Sequence, residues 1–228
     1  MKHAIILVQP QMGENIGAAA RVMLNFGLTD LRIVNPRDGW PNEKAFEMSA
    51  GAKKIITNAK IFESTEKAVS DLEYVYATTA RNRDLDKKIT TPQDIQPRKN
   101  SGILFGPERS GLENEDLKFA NELISIPVNH EYSSLNLAMS VGIIAYEIST
   151  QKQSKLPERE LATKEEFSHM LSHLEELLDR KSFFQTPEKK PGMVQNIAAM
   201  LTRAEFSPQE IRTLRGILRS LSSAPSKS

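Results

Sequence analysis

The feature that most constrains this fold is the alternation of short apolar runs with helical segments over the first 150 residues. The runs His3–Gln9, Leu31–Asn35 and Tyr74–Thr79 have the length and character of buried strands. Amphipathic stretches such as Asn15–Phe26 lie between them. Because parallel strands need long, usually helical crossovers, the alternation predicts an α/β domain with a mostly parallel sheet covered on both faces.

Further segments continue this pattern. Predicted strands lie near Lys60–Phe62, Ile103–Gly106 and Leu123–Pro127, and predicted helices near Glu43–Ser49, Thr65–Asp71 and Asn114–Ala120. A last helix of this region begins near residue 135. Its apolar residues at helical spacing predict a buried stripe of Leu135, Ala138, Met139, Gly142, Ile143 and Tyr146.

The chain changes character after residue 150. Residues 150–160 are rich in Gln, Lys, Ser and Pro, which is typical of a linker. Three apolar stripes at helical spacing follow, and they predict three amphipathic helices around residues 167–178, 197–201 and 211–221. We therefore predict an α/β domain over residues 1–152, a linker over 153–161 and a small three-helix domain over 162–228.

Composition excludes several classes of site. The chain has no cysteine, so disulfides, cysteine-ligated zinc and thiol catalysis are excluded. His169 and His173 lie four residues apart without the carboxylate of an HExxH motif, and we interpret them as a solvated helix face. No apolar run could span a bilayer, and the N-terminus lacks the length of a signal peptide. We expect a cytoplasmic protein with neither a bound metal nor a membrane partner.

Charge gives a weaker signal. The net charge of +1 does not by itself indicate a nucleic-acid partner. The segment Arg81–Lys99 is locally basic, which predicts either contact with phosphate groups or a solvated loop.

A first candidate site lies in the segment Met12–Arg21. On a helix, Gly17 and Ala18 would lie one turn before Arg21, leaving a face without bulk beside one guanidinium. Such a face would let a phosphate or ribose approach closely. Tight helix packing beside an ordinary surface arginine is the alternative interpretation.

A second candidate site is the turn Phe105–Leu112. Its glycines at 106 and 111 allow the backbone to wrap around a ligand, and Pro107 stiffens the turn. No Gly-Lys-Ser/Thr follows, which disfavours nucleoside triphosphate chemistry. Glu108 and Arg109 could instead pair with each other at the surface.

A third candidate site is the segment Glu131–Ser140, which runs from a polar loop into the last apolar helix. Ser133, Ser134 and Asn136 lie at the helix start, where free backbone N–H groups favour electron-rich ligand atoms. Ser134 could simply be the N-cap. An amide just inside an apolar helix costs stability unless it is paired, so Asn136 is expected to have a partner or a function.

Taken together with Ile126-Pro127, these three segments resemble the signature motifs of the SPOUT methyltransferases, and in particular the TrmH-like 2′-O-ribose RNA methyltransferases. Thr78–Arg81 and the C-terminal Leu214–Leu218 extend the resemblance over nearly the whole chain. The resemblance implies a trefoil knot in the catalytic domain, a homodimer and S-adenosylmethionine as methyl donor. Within the family, the chain is most similar to members that methylate the 2′-hydroxyl of C or U at position 32 of the tRNA anticodon loop.

The resemblance also assigns site residues. It implies a cofactor site lined by Thr78, Thr79, Ala80, Gly106, Ile126, Ser133, Ser134 and Leu135. It implies catalytic or site-supporting roles for Arg21, Asn15, Glu108, Ser134 and Asn136, with Arg21 as the catalytic arginine.

The chemistry of the implied reaction constrains the role of Arg21. A ribose hydroxyl is a poor nucleophile, so it needs help in losing its proton and alignment with the methyl group. An arginine is protonated at any ordinary pH, which makes it a poor general base. We therefore expect Arg21 to stabilise the developing alkoxide, while a phosphate or water takes the proton. The sulfonium is already an activated leaving group, so no metal is required.

Three alternatives remain open at this stage. The first is 2′-O-methylation of another tRNA or rRNA nucleotide, and the second is a non-catalytic RNA-binding dimer. The third is a nucleotide-binding metabolic enzyme on an unknotted doubly wound fold. The sequence also leaves open whether Arg81–Lys99 or Lys189–Gly192 contacts RNA.

Overall fold

The computed structural model describes residues 3–79, 87–96, 98–129, 131–151, 160–184 and 186–222. Within these, one sheet has the strand order β3-β2-β1-β6-β4-β7-β5, and every strand pairing is parallel. The strands are β1 His3–Val8, β2 Asp30–Val34, β3 Lys60–Phe62, β4 Tyr74–Thr78, β5 Lys88–Thr90, β6 Ser101–Phe105 and β7 Glu122–Ile124. The predicted α/β class and parallel sheet are confirmed.

Helices cover both faces of the sheet. The α-helices of the described residues are α1 Gly13–Asn25, α2 Glu43–Met48, α3 Lys53–Thr57, α4 Thr65–Val69, α5 Asn114–Leu117, α6 Leu137–Thr150, α7 Lys164–Arg180, α8 Lys190–Thr202 and α9 Pro208–Ser222. Short 3₁₀ turns lie at Ala50–Ala52 and Pro92–Asp94.

Strand β1 shows why this region reads as a continuous apolar run. Successive side chains of a strand point to opposite faces. Ile5 and Leu7 belong to the core beneath α1 and α6, whereas Ala4 and Ile6 belong to the core beneath α4. All four are almost completely buried. A strand covered on both faces has no solvent side, so the alternation of polar and apolar residues is lost.

The sequence predicted most elements within a few residues of their observed ends, but it missed two. Neither helix α3 nor strand β5 is predicted from the sequence. Each is short, and in β5 Lys88 and Ile89 are exposed while Thr90 is buried. A three-residue strand at the edge of a sheet has too few positions to show a period.

The predicted apolar stripe of α6 was mostly on the wrong face, and Ala138 is its one member that is buried. Met139, Ile143 and Tyr146 are exposed, with Met139 at 62% and Tyr146 at 53%. The face that packs on the core is formed by Leu137, Ala138, Val141, Ile144, Ala145 and Ile148. Helix α6 is apolar on nearly all sides, so spacing alone could not identify the buried face. Its second apolar face lies open on the single chain.

The predicted linker, residues 153–161, falls largely outside the described residues. The chain is described again from residue 160, and α7 starts at Lys164 with a capping box formed by Thr163 and Glu166. Helices α7, α8 and α9 then form the predicted helical region, with a small core of their own. The domain boundaries and the trefoil knot stay predictions. None of the helices in the described parts of the chain is long and apolar enough to cross a membrane.

The helical region is fixed to the α/β region through the start of α7. The backbone N–H groups of Lys164 and Glu165 donate to the carbonyl oxygens of Leu72 and Ser70, at 2.9 and 3.1 Å. These first-turn N–H groups have no partner inside their own helix. The α/β region therefore completes the hydrogen bonding of the α7 N-terminus.

The side chain of Lys164 is buried at the same junction. Its Nζ donates to Asn121 Oδ1 at 2.5 Å and lies 5.9 Å from the ring centroid of Phe167. Burial, followed by the nearby charge of Lys87, lowers the pKa of Lys164 to about 7. Burial also lowers the pKa of Lys87 to about 8. The junction thus holds two lysines that lose their charge near neutral pH.

We predict that the free energy of unfolding rises between about pH 7 and pH 10 because of Lys164. In this range the unfolded chain keeps this lysine protonated while the folded chain releases the proton, so raising the pH favours the folded state. In Lys164→Met, the free energy of unfolding should depend less on pH. It should also be higher at pH 7, by about 1.4 kcal/mol for each unit by which folding lowers the pKa of Lys164.

Urea denaturation at pH 7 and pH 9.5 measures this effect. Lys181→Met, which removes an exposed lysine from the same helical region, is the matched control and should retain the rise. Lys87 also has a lowered pKa in the folded protein, so it too raises the free energy of unfolding as the pH rises. Part of the pH-dependent rise should therefore remain in Lys164→Met. Equal pH slopes for Lys164→Met and the control would contradict the prediction.

Candidate active site

The carboxyl ends of β4, β6 and β7 lie side by side at one edge of the sheet, and the loops that follow them enclose a cavity of about 240 Å³. In parallel sheets this edge is where ligands usually bind. The cavity is lined by Thr78, Thr79, Phe105, Gly106, Pro107, Glu108, Arg109, Ser110, Gly111, Leu112, Ile126, Val128, Ser133, Ser134, Leu135, Leu137 and Ser140. Three segments distant in sequence therefore share one site.

The loop after β6 folds tightly back on itself. A Cβ atom at Gly106 would lie 2.3 Å from the backbone nitrogen of Leu112, so only glycine allows this approach. Gly111 has φ of +69°, and its N–H donates to the carbonyl of Pro107 at 2.9 Å. The loop is thus a tight turn that forms one wall of the cavity, and its contact with a ligand stays a prediction.

A chain of hydrogen bonds joins the loop after β6 to the starts of α1 and α6. The Glu108 carboxylate accepts from the backbone N–H of Gln11 at 2.9 Å and from Asn15 Nδ2 at 2.6 Å. Asn15 Oδ1 in turn accepts from Asn136 Nδ2 at 3.0 Å. Because an ionised carboxylate only accepts, it fixes the amide orientation of Asn15, and Asn15 then fixes that of Asn136. The alternative pairing of Glu108 with Arg109 was wrong.

Asn136 ends this chain as the N-cap of α6. Its Oδ1 accepts from the N–H groups of Ala138 at 2.9 Å and Met139 at 3.4 Å. The prediction that Asn136 has a partner is confirmed, but its placement inside the helix was wrong. Ser134 is not the cap, because the helix begins three residues later. The Ser134 side chain lines the cavity instead.

Gly17 packs α1 against α2 rather than opening a ligand face. A Cβ atom there would lie 2.4 Å from the carbonyl oxygen of Ala45. The sequence left ligand approach and tight helix packing open at this glycine, and the packing interpretation is correct.

Arg21 does not line the cavity. Its side chain is exposed on α1 and makes no hydrogen bond or ion pair that joins it to another described residue. Asn15, on the same helix, points to α6 and Asn136, whereas Arg21 lies on the solvent side of α1. The single chain therefore brings together Asn15, Glu108 and Asn136 but leaves Arg21 apart.

Seven of the eight predicted cofactor residues line the cavity, and the eighth, Ala80, lies outside the described residues. The Thr78 hydroxyl donates to the carbonyl of Leu104 at 3.1 Å, so it braces two strands. Sequence reasoning missed Val128, Leu137 and Ser140. Ser140 could have been identified from its position one helical turn after Asn136. Its hydroxyl donates to the carbonyl of Asn136 at 3.2 Å.

The sequence left open whether the basic segment Arg81–Lys99 or the basic segment Lys189–Gly192 contacts RNA. Within Arg81–Lys99, residues 81–86 and 97 lie outside the described residues. Lys87 donates to the carbonyl of Ala120, and Arg98 lies over the Tyr74 ring at 4.8 Å. In the second basic segment, the Nζ of Lys190 pairs with Asp179 at 2.6 Å. These three cations therefore each have a partner within the chain.

Comparison with known proteins agrees with this architecture. The model of the SpoU rRNA methylase family matches residues 2–146, and that of the TrmJ tRNA methyltransferase C-terminal domain matches residues 165–228. This chain belongs to the SpoU methylase family. The two matched regions of this SpoU-family methylase correspond to its α/β and helical regions.

Individual relatives cover almost the whole chain. The tRNA (cytidine/uridine-2′-O-)-methyltransferase TrmJ of Sodalis glossinidius is 36% identical over 95% of this chain and 90% of its own length. The crystal structure of TrmJ from Z. mobilis ZM4 is 44% identical, with a TM-score of 0.92 over 98% of this chain and 100% of that one.

A second solved structure is shorter. It concerns 2-OH methylation of C/U34 on tRNA, is 26% identical, and has a TM-score of 0.55. It covers 64% of this chain and 93% of its own. About a third of this SpoU-family methylase therefore has no counterpart in it.

We predict that substitutions of Asn136 separate its two roles. Asn136→Ala removes both the N-cap and the bond to Asn15, and should lower the free energy of unfolding by about 1–3 kcal/mol. Asn136→Ser keeps a capping oxygen but cannot reach Asn15, so it should recover about 1 kcal/mol. Urea denaturation of both variants measures the difference. Wild-type stability in Asn136→Ala would show that neither bond contributes.

Proposed function

We propose that this SpoU-family methylase transfers a methyl group from S-adenosylmethionine to the ribose 2′-hydroxyl of C or U at position 32 of the tRNA anticodon loop. The observation that carries the proposal is a single cavity lined by the loops after β4, β6 and β7. Asn15 of α1 does not line it but bridges Glu108 in the second loop and Asn136 at the end of the third. The relative from Sodalis glossinidius, named for cytidine and uridine 2′-O-methylation, supports the base preference.

The residues of the cavity suit S-adenosylmethionine. Ile126, Leu135 and Leu137 offer apolar contacts for a base, and the hydroxyls of Ser133 and Ser134 can meet ribose or amino acid oxygens. When bound, this cofactor supplies a methyl group on a sulfonium that is already a good leaving group. The protein contributes binding, alignment of the ribose oxygen and stabilisation of its developing charge.

The helical region supports position 32 over position 34. The solved protein concerned with C/U34 has no counterpart to about a third of this chain, whereas TrmJ from Z. mobilis matches it over 98%. A domain added to a common catalytic core is a natural means of choosing another nucleotide. We therefore assign the choice of position 32 to α7, α8 and α9. A tRNA substrate in turn indicates a cytoplasmic protein.

We further propose that the protein is a homodimer and that Arg21 serves the cavity of the partner. The open face of α6, with Met139, Ile143 and Tyr146, continues onto α1 through the edge-on contact of Tyr146 with Phe26, whose ring centroids lie 6.0 Å apart. An exposed apolar patch of this kind marks an interaction site. Arg21 lies on the solvent side of α1. The trefoil knot belongs to the same proposal and supports the packing of the two catalytic domains.

We predict that methyl transfer depends on one ribose hydroxyl. Three tRNA transcripts with C at position 32 would be incubated with S-adenosylmethionine carrying a labelled methyl group. One transcript is unmodified, one has 2′-deoxyribose at position 32, and one has 2′-deoxyribose at position 34. The label should enter the first and third transcripts and be lost from the second.

Each other result identifies an alternative. Loss of label only with 2′-deoxyribose at position 34 would move the target to that nucleotide. Label in all three transcripts would mean that the protein methylates another position of the tRNA. No label in any transcript, together with no binding of S-adenosylmethionine in calorimetry, would favour the non-catalytic RNA-binding dimer.

We predict that two inactive variants restore activity when they share a dimer. Arg21→Ala removes the guanidinium, and Leu135→Arg places a cation in the cavity where it repels a sulfonium. A mixed dimer keeps one intact cavity opposite one intact Arg21. Co-expression in equal amounts should restore roughly a quarter of wild-type activity, since half of the dimers are mixed and each has one working site. If Arg21 acts within its own chain, the mixture stays inactive.

A further inference from the structure

A second cleft, of about 320 Å³, lies between α7 and α9, within the helical region. It is lined by His169, Ser172, His173, Glu176, Arg215 and Arg219. From the sequence, the two histidines are expected on a solvated helix face, since they lack the carboxylate of an HExxH motif. The structure instead places them opposite two arginines of α9. The described residues contain no group of three His, Cys, Asp or Glu side chains arranged to hold a metal ion.

The cleft has more potential cations than anions. Arg215 and Arg219 lie four residues apart on α9, a spacing at which like charges destabilise a helix. Glu176 is the one carboxylate that lines the cleft among the described residues, and Arg180 also approaches it, at 3.9 Å. Both arginines line the cleft, so an anion bound there would meet two guanidinium groups.

Two of the cleft side chains also have unsatisfied polar atoms. His173 Nδ1 and Arg215 Nε are buried and have no hydrogen-bond partner among the described residues. Buried polar groups in folded proteins are almost always paired, so each exception calls for an explanation. Both side chains line the cleft, so a ligand bound there is one group that could pair with them. This observation is independent of the charge count.

We propose that the α7–α9 cleft binds a backbone phosphate of the tRNA substrate. This proposal rests on the proposed function, since it names a contact made by the same substrate. Arginine presents a planar set of N–H donors that matches phosphate oxygens, and the Ser172 hydroxyl and a histidine N–H add further donors. A phosphate contact fixes the position of RNA on a protein without reading its sequence. The cleft therefore positions the tRNA, and base recognition lies elsewhere.

Binding of one tRNA transcript at several salt concentrations tests the proposal. Arg215→Gln should weaken binding about tenfold and reduce the slope of log affinity against log salt by about 1. The matched control is Arg212→Gln, which removes the same charge from α9. Arg212 lies outside the cleft and donates to Gln209 Oε1 at 2.9 Å, so the control should change the slope little. Equal slopes for the two variants would overturn the proposal.

A second variant guards against misfolding of Arg215→Gln. His169 is exposed, so His169→Gln leaves the packing of α7 unchanged and should weaken tRNA binding by a smaller factor. Unchanged binding by both His169→Gln and a folded Arg215→Gln would refute the subsite.

Enzyme kinetics separates this inference from the proposed function. The cleft variants should raise KM for tRNA while kcat and the affinity for S-adenosylmethionine stay at wild-type values. If the wild-type protein transfers no methyl group, the proposed function fails, and the salt slope still decides whether the cleft binds phosphate. A fall in kcat with unchanged KM would place the effect at the cavity and overturn the subsite.

Discussion

The interaction on which the site depends is the acceptance of two hydrogen bonds by the carboxylate of Glu108. One bond comes from the chain entering α1, and the other from Asn15 inside that helix. Through Asn15 the same carboxylate sets the orientation of Asn136 and hence the start of α6. Three loops that share no local sequence are thus placed relative to one another by one acceptor-only group. Partly buried networks of this kind are stable only when every member is paired.

The fold class could be predicted because α/β alternation is a property of whole segments, and burial of β1 on both faces leaves a clear apolar run. The failures concern single faces and single residues. The buried side of α6 could not be chosen because Met139 and Tyr146 are as apolar as Val141 and Ile144. The role of Gly17 depends on the carbonyl of Ala45, a partner that no local pattern reveals.

The candidate site was predictable to a similar extent, and for the same reason. Motif resemblance placed the cofactor residues on one cavity, because those motifs belong to loops at a common edge of the sheet. It did not predict that Lys87 and Arg98 turn inward, since their partners are a backbone carbonyl and an aromatic ring. The separation of Arg21 from the cavity was also beyond its reach. Motif spacing alone does not show which side of α1 faces the cavity.

The docking of α7 has a consequence for how this architecture can diversify. Lys164 contacts Asn121, which precedes β7, and the N-terminus of α7 meets Leu72, which precedes β4. The cavity lies beyond the opposite ends of these two strands, roughly 15 Å away for a five-residue strand. The sheet thus separates the attachment of the accessory helices from the cavity. Evolution can reshape or replace the appended helices while the chemistry at the far edge stays intact.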